Sequence, residues 1–215
     1  MKSERSMSNC ARVSLGVLLC LAIVLPAPAD TFWLGTANND WTNASNWDAG
    51  VPTSSVIAQF TTSGITSISH PSDARAKGLV FSGDAGFTIN AGGGVLYVYD
   101  NGITVSGGSV NQVFNGQVRP QATAMPITND STGLLDFNND MLVHLTSTGT
   151  CDVTFGGSGN IELKSIQRRN TVSEYVNLVK EGTGTLTIQS GTTTDATATG
   201  QGRINGTTTI TGGTV

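Results

Sequence analysis

The stretch Leu79-Val-Phe-Ser82, Gly83-Asp-Ala-Gly86, Phe87-Thr-Ile-Asn90, Ala91-Gly-Gly-Gly94, Val95-Leu-Tyr-Val-Tyr99, Asp100-Asn-Gly102, Ile103-Thr-Val-Ser106, Gly107-Gly108 decides the fold. Runs of four or five apolar, β-branched or aromatic residues alternate with tight clusters of Gly, Asp and Asn. Strands this short suit long hairpins poorly, although a β-sandwich or barrel accommodates some. A solenoid uses them directly. Each coil contributes two or three short strands that pair with the coils above and below, and inward side chains stack into one core. Alternation then puts Phe87 with Ile89, Ile103 with Val105, and Leu186 with Ile188 on the inward side. Gly and Asn at the corners accept positive φ at little cost. The expected fold is all-β, a right-handed parallel β-helix. With coils of about 20 residues and about 4.8 Å between paired strands, the chain after residue 29 would make roughly nine coils, a rod on the order of 40 Å long.

The start of the chain has a different character. Lys2, Arg5 and Arg12 stand against a single acid, Glu4, and an apolar run from Val13 to Pro26 follows. Ala27-Pro28-Ala29 supplies the small, spaced residues a signal peptidase needs, so residues 1–29 read as a cleavable signal peptide with the mature chain starting at Asp30. The run is about fourteen residues, shorter than the roughly twenty that span a bilayer, so no integral membrane segment is expected after cleavage. A lipoprotein signal at Cys20 is disfavoured by bulky Leu19 before it and by the apolar residues beyond it. Export through the Sec pathway, with signal peptidase and the export machinery as partners, places the protein outside the cytoplasm, secreted or at the cell surface. Cys10 and Cys20 leave with the signal, and Cys151 is left without an intramolecular partner. Val153 and Phe155 alternate with it along a strand-like stretch, so burial is its expected state.

Composition narrows the partners. Beyond Ala29, 14 acids face 8 bases, a net charge of −6. That balance argues against nucleic acid, which requires clustered Lys and Arg. The pair Arg168-Arg169 reads as a solvated turn. Good surface helix formers are scarce, with Glu only at 162, 174 and 181 and Lys only at 77, 164 and 180 in this part of the chain.

The stretch Leu178-Val-Lys-Glu-Gly-Thr-Gly-Thr-Leu-Thr-Ile188, followed by Gly206-Thr-Thr-Thr-Ile-Thr-Gly-Gly-Thr-Val215, resembles the autotransporter-associated β-strand repeat, also called the passenger-associated transport repeat. Phe32-Trp33-Leu-Gly, Asp40-Trp41, Ala44-Ser-Asn-Trp47 and Gly50-Val-Pro52 are similar to the Trp-rich opening segment of large exported bacterial proteins that carry this repeat. The resemblance implies a passenger-type β-helix whose repeat assists folding and passage to the cell surface, with association to the bacterial outer membrane. It implies no chemical activity. This sequence departs from the pattern between Gly191 and Gly206, where the spacer Thr192 to Asn205 is long and lacks the customary Tyr. The implied organisation is a signal peptide at 1–29, a Trp-rich N-terminal capping segment at 30–60, and coils at 61–215 with the repeat at 178–215.

Candidate sites are few. Trp33, Trp41 and Trp47 suit stacking on sugar rings, since indole faces do so readily, or covering the open end of a solenoid, which every such rod requires. Surface glycans or host and cell-surface molecules are the partners such a protein would take. Asp136-Phe-Asn138-Asn-Asp140 has oxygen ligands at the first, third and fifth places of a calcium loop. Met141 takes the place of the sharp-turn Gly and Ser147 that of the bidentate Glu, so a solvated turn is the expected reading and no metal or other cofactor is expected. His144 lies four residues past Asp140, about 13 Å away on a strand, too far to share one ion with it. His70, before Pro71, reads as a loop residue. No Ser-His-Asp order, His-Glu-x-x-His or Cys-x-x-Cys motif is present. The expected protein is a non-catalytic structural or adhesive β-helix. Carbohydrate binding or polysaccharide degradation is the alternative, with an Asp100 to Asp136 neighbourhood as one pairing to look for. Aligned Thr ladders for a crystal lattice are disfavoured, because Thr-x-Thr units at 185, 197, 207 and 209 lack a constant period.

Overall fold

The computed structural model describes residues 30–143, 149–168, 174–189 and 208–215. The signal segment, His144, Arg169 and the spacer from Thr192 to Asn205 lie outside the described residues.

The described chain begins with β1 (Thr31–Phe32), a 3-10 turn at Ala44–Asn46, β2 (Ile57–Phe60), β3 (Ser67–His70), β4 (Ala74–Ser82) and β5 (Thr88–Ala91). It continues with β6 (Leu96–Ser106), β7 (Gln112–Phe114), β8 (Val118–Pro120), β9 (Ala124–Asn129) and β10 (Leu135–Val143). The last strands are β11 (Gly149–Gly156), β12 (Ile161–Arg168), β13 (Glu174–Lys180), β14 (Leu186–Ile188) and β15 (Thr208–Ile210). Every pairing between these strands is parallel, and each joins a residue to its equivalent one coil away. The fold is a parallel β-helix of about six turns.

Each complete coil has three sides. One face is built from β3, β5, β7, the first half of β10, the first half of β12, and β14. A second takes the first halves of β4 and β6, then β8 and the second halves of β10 and β12. The third runs from β1 through β2, β4, β6, β9, β11 and β13 to β15. Long strands such as β4, β6 and β10 turn a corner without breaking their pairing. The turn is taken by a register irregularity, at Ala76/Gly78 in β4 and at Phe137/Asp140 in β10.

The coil is longer than the expected 20 residues. Ile57 pairs with Gly78, a step of 21, while Leu178 pairs with Thr208, a step of 30. The chain makes about six turns rather than the nine expected. The alternation itself is observed. Phe87, Ile89, Ile103, Val105 and Leu186 are buried, and Ile188 packs against the core. Inward columns run axially, one of them through Ala58, Leu79, Ile103, Ile127, Phe155 and Lys180. β2 already belongs to this column, so coil structure starts inside the segment expected to be a cap.

The corner between the third face and the next strand explains the Gly-x-Gly spacing. Gly184 stacks on Gly159, and a Cβ on Gly184 would meet the Gly159 carbonyl oxygen at 2.0 Å; Gly182 stacks in the same way on Gly157, at 2.4 Å. The sequence Phe155-Gly-Gly157-Ser-Gly159-Asn-Ile161 thus prepares the same corner as Lys180-Glu-Gly182-Thr-Gly184-Thr-Leu186 one coil later.

Gly102 and Gly107 separate two requirements. Both have positive φ, +62° and +77°, but a Cβ on Gly102 would lie 1.8 Å from the Pro126 carbonyl oxygen, whereas one on Gly107 meets nothing within 4 Å. Gly107→Ala should cost about 1 kcal/mol, the strain of the left-handed backbone alone. Gly102→Ala should cost at least about 3 kcal/mol, because the coil below must also move. Urea-unfolding midpoints of the two variants check the difference.

Candidate functional site

The three tryptophans come together at the N-terminal end of the column. Trp33 and Trp47 pack edge to face at 5.1 Å between ring centroids, and Trp41 and Trp47 do so at 4.9 Å. Trp41 and Trp47 then contact Phe60, at 6.0 and 5.8 Å. Aromatic contact continues down the axis: Phe60 stacks on Phe81 at 4.7 Å, Phe81 meets Phe114 at 5.9 Å, and Phe114 stacks on Phe137 at 4.9 Å. Each such pair adds about 0.5–1.5 kcal/mol beyond its area burial. The indole nitrogen of Trp33 donates to the Ile65 carbonyl and that of Trp47 to the Trp41 carbonyl, both at 2.8 Å.

The loop that carries Trp41 is held by one buried amide. Asn46 Oδ1 accepts from the backbone N–H of Ala37 and Asn38, at 3.0 and 3.1 Å. Its Nδ2 donates to Asn38 Oδ1 and the Asp40 carbonyl, both at 2.8 Å. The relative exposures of Trp33, Trp41 and Trp47 are 1%, 0% and 4%. Sugar stacking needs an open indole face, and none of the three indoles presents one.

The calcium-like stretch from Asp136 to Asp140 is not a turn but part of strand β10. Leu135, Phe137, Met141 and Val143 alternate into the core on either side of the corner, and this holds the acidic residues in the sheet. Among the described residues no three His, Cys, Asp or Glu side chains converge on one point. Asp140 Oδ1 accepts from the Ser165 hydroxyl at 2.7 Å and lies 3.8 Å from Lys164 Nζ, the one ion pair among the described residues. Asp136 pairs in register with Glu162 on the next coil. Partial burial and then the Glu162 charge raise its carboxyl above the ordinary range, against a lowering hydrogen bond from Asn138. Asp100 sits at the corner between the two halves of β6, and the first half of β10 carries Asp136 on another face. Arg168 ends strand β12 rather than lying in a turn.

His70 also differs from expectation. It is the last residue of β3, fully buried, because Ile68 and His70 share the inward side of the strand. Its Nδ1 lies 3.3 Å from the Ser72 carbonyl, and Nε2 has no partner. A carbonyl can only accept, so Nδ1 carries the proton of the neutral ring. Burial holds the pKa below its ordinary value of 6.5, against raising contributions from Ser72 and Asp73. Lys180 is a second buried group that local patterning missed, although Val176, Leu178 and Lys180 alternate. It lies between Phe155 and Ile210 in register, and its ammonium donates to the carbonyls of Glu181, Gly182 and Gly212. Asn129, also inward, donates to the Gly133 and Asn160 carbonyls at 2.9 and 2.7 Å and accepts from Ser131.

A row on the second face was not legible locally. Arg75, Tyr97 and Arg119 stand in register on three adjacent coils, each step 22 residues. The guanidinium carbons lie 5.4 and 5.2 Å from the Tyr97 ring centroid, one from each side. On the neighbouring face, Asn90, Asn115 and Asn138 form an outward amide row, with Asn115 Nδ2 donating to Asn90 Oδ1 at 2.9 Å.

Comparison of the chain with protein-family models, with curated proteins and with solved structures gives no match. No helix among the described residues is long and apolar enough to cross a membrane.

Two outcomes follow from the buried titratable groups. Because the native fold favours neutral His70, the unfolded chain binds more protons below about pH 6.5. The contribution of this residue to stability is therefore complete above that pH and declines as pH falls through it. Urea midpoints at pH 7.5 and 5 should show the decline, and it should shrink in His70→Gln. The thiol of Cys151, buried and unpaired, is pushed up to about 12 by desolvation and then by Asp152. Iodoacetamide at pH 8 should leave it unmodified in the native protein and alkylate it in urea, read by mass spectrometry.

Proposed function

We propose that this protein is an exported, passenger-type β-helix that serves a structural or adhesive role at the cell surface. The observation that carries the reading is the outer surface of the column. Its coils stack in register, so equivalent outward residues form continuous polar rows, such as the Asn90, Asn115 and Asn138 amides. Extended rows of this kind suit contact with a long partner more than enclosure of a small one. The basic, then apolar, then Ala27-Pro28-Ala29 order at the start of the chain supports export. The likeness of residues 178–215 to the passenger-associated repeat supports passage to the surface.

Polysaccharide degradation is the second reading. It rests on Asp136 and Glu162, two outward carboxylates on adjacent coils, one with a raised pKa.

The test is production of the full chain in a bacterium with residues 1–29 intact. Recovery outside the cytoplasm with Asp30 as the new N-terminus, and attachment of beads coated with that product to cell surfaces, are the expected results. Cytoplasmic retention of the uncut chain, or beads that fail to attach, would contradict the reading. Release of reducing or unsaturated ends from a polysaccharide panel, lost in Asp136→Asn, would favour the second.

A further inference from the structure

We infer that the Arg75, Tyr97 and Arg119 row is a binding site for a linear acidic polysaccharide, an inference that rests on the adhesive reading and names its ligand class. The chain is acidic, yet two of its few bases stand two coils apart on one face. Neither guanidinium has a carboxylate within 4.0 Å, since the one ion pair among the described residues is Lys164 with Asp140. Asp73, the acid two residues before Arg75, instead accepts from the Val95 backbone N–H at 3.0 Å.

The row is organised rather than incidental. Arg119 is only 8% exposed. Its two terminal nitrogens donate to the Tyr97 hydroxyl at 2.9 Å and to Gln117 Oε1 at 2.7 Å. Its Nε is buried without a partner. A guanidinium that is nine-tenths buried and paired only with neutral groups leaves its charge uncompensated, which is costly unless an anion approaches. Arg75 is exposed, rests against the other face of Tyr97, and donates to no acceptor among the described residues. Its planar fork is therefore free to take a carboxylate or sulfate in two parallel hydrogen bonds. The buried charge of Arg119 adds attraction that salt screens less than it screens an exposed charge.

Geometry selects a linear polymer. The two guanidinia are separated by two coil steps, about 10 Å along the rod. Around the corner, four residues before Arg119, Asn115 belongs to the amide row, whose groups both donate to and accept from hydroxyls. A chain carrying anionic groups at intervals with hydroxyls between them meets both rows. A compact anion would use only one Arg.

The probes are polygalacturonate, dextran sulfate and neutral dextran, titrated against the mature protein at low and physiological salt. Binding to polygalacturonate or dextran sulfate, weakened by salt and absent with neutral dextran, is the expected result, and comparison of the first two separates carboxylate from sulfate preference. Arg75→Gln, at an exposed position, should keep the wild-type unfolding midpoint and weaken binding about 5-fold. Arg75→Lys should restore part of the loss through its charge. Equal binding of neutral dextran, no binding of either polyanion, or full affinity in Arg75→Gln would overturn the inference. If beads still attach to cell surfaces in any of those cases, the adhesive reading survives without it.

Discussion

A backbone that returns to the same place once per coil, in parallel register, must keep the same side of each strand facing inward at every level. That constraint governs the rest of this molecule. Parallel pairing fixes which residue lies above which, and a slip of one residue would turn every inward side chain outward. The inward columns are its direct product, as are the polar rows outside. The stacking of Gly184 on Gly159 and of Gly182 on Gly157 follows from the same rule, because backbones that recur at one corner leave no room for a Cβ.

The column also explains where polar groups are tolerated inside. Asn129 and Lys180 occupy inward positions beside corners, where backbone carbonyls are free of the ladder and can accept. His70 stands at the end of β3, next to the Ser72 carbonyl, but keeps one nitrogen unpaired. At the N-terminal end of the described residues, β1 is paired on one side, with β2. The interlocked, buried indoles of Trp33, Trp41 and Trp47 lie there, with Trp41 and Trp47 against Phe60.

Fold class was legible because it depends on local alternation and corner residues. Phe87 with Ile89 and Ile103 with Val105 announce the inward side within a few residues. Coil length was less legible, since the strands and the turns between them both vary in length, and no local signal fixes how far the chain runs before it pairs again. The stretch from Asp136 to Asp140 has the composition of a solvated turn, yet Phe137 and Met141 keep it within the sheet. The row of Arg75, Tyr97 and Arg119 has no local signature for a different reason: its adjacency spans 22 residues per step, and only the register brings the three together. A constant step between unlike residues is visible in retrospect, but a single chain gives no reason to select 22.

The outward series Thr88, Val113, Asp136, Glu162 and Thr187 tests the stacked column most directly, because each residue pairs with the next. Spin labels can be placed on Thr88→Cys in combination with Val113→Cys, Asp136→Cys, Glu162→Cys or Thr187→Cys, and their separations measured by electron paramagnetic resonance. Stacked coils require separations that grow in equal steps, about 5, 10, 14 and 19 Å, despite intervals of uneven length in the chain. Separations that fail to increase in that order would contradict the column and everything argued from it.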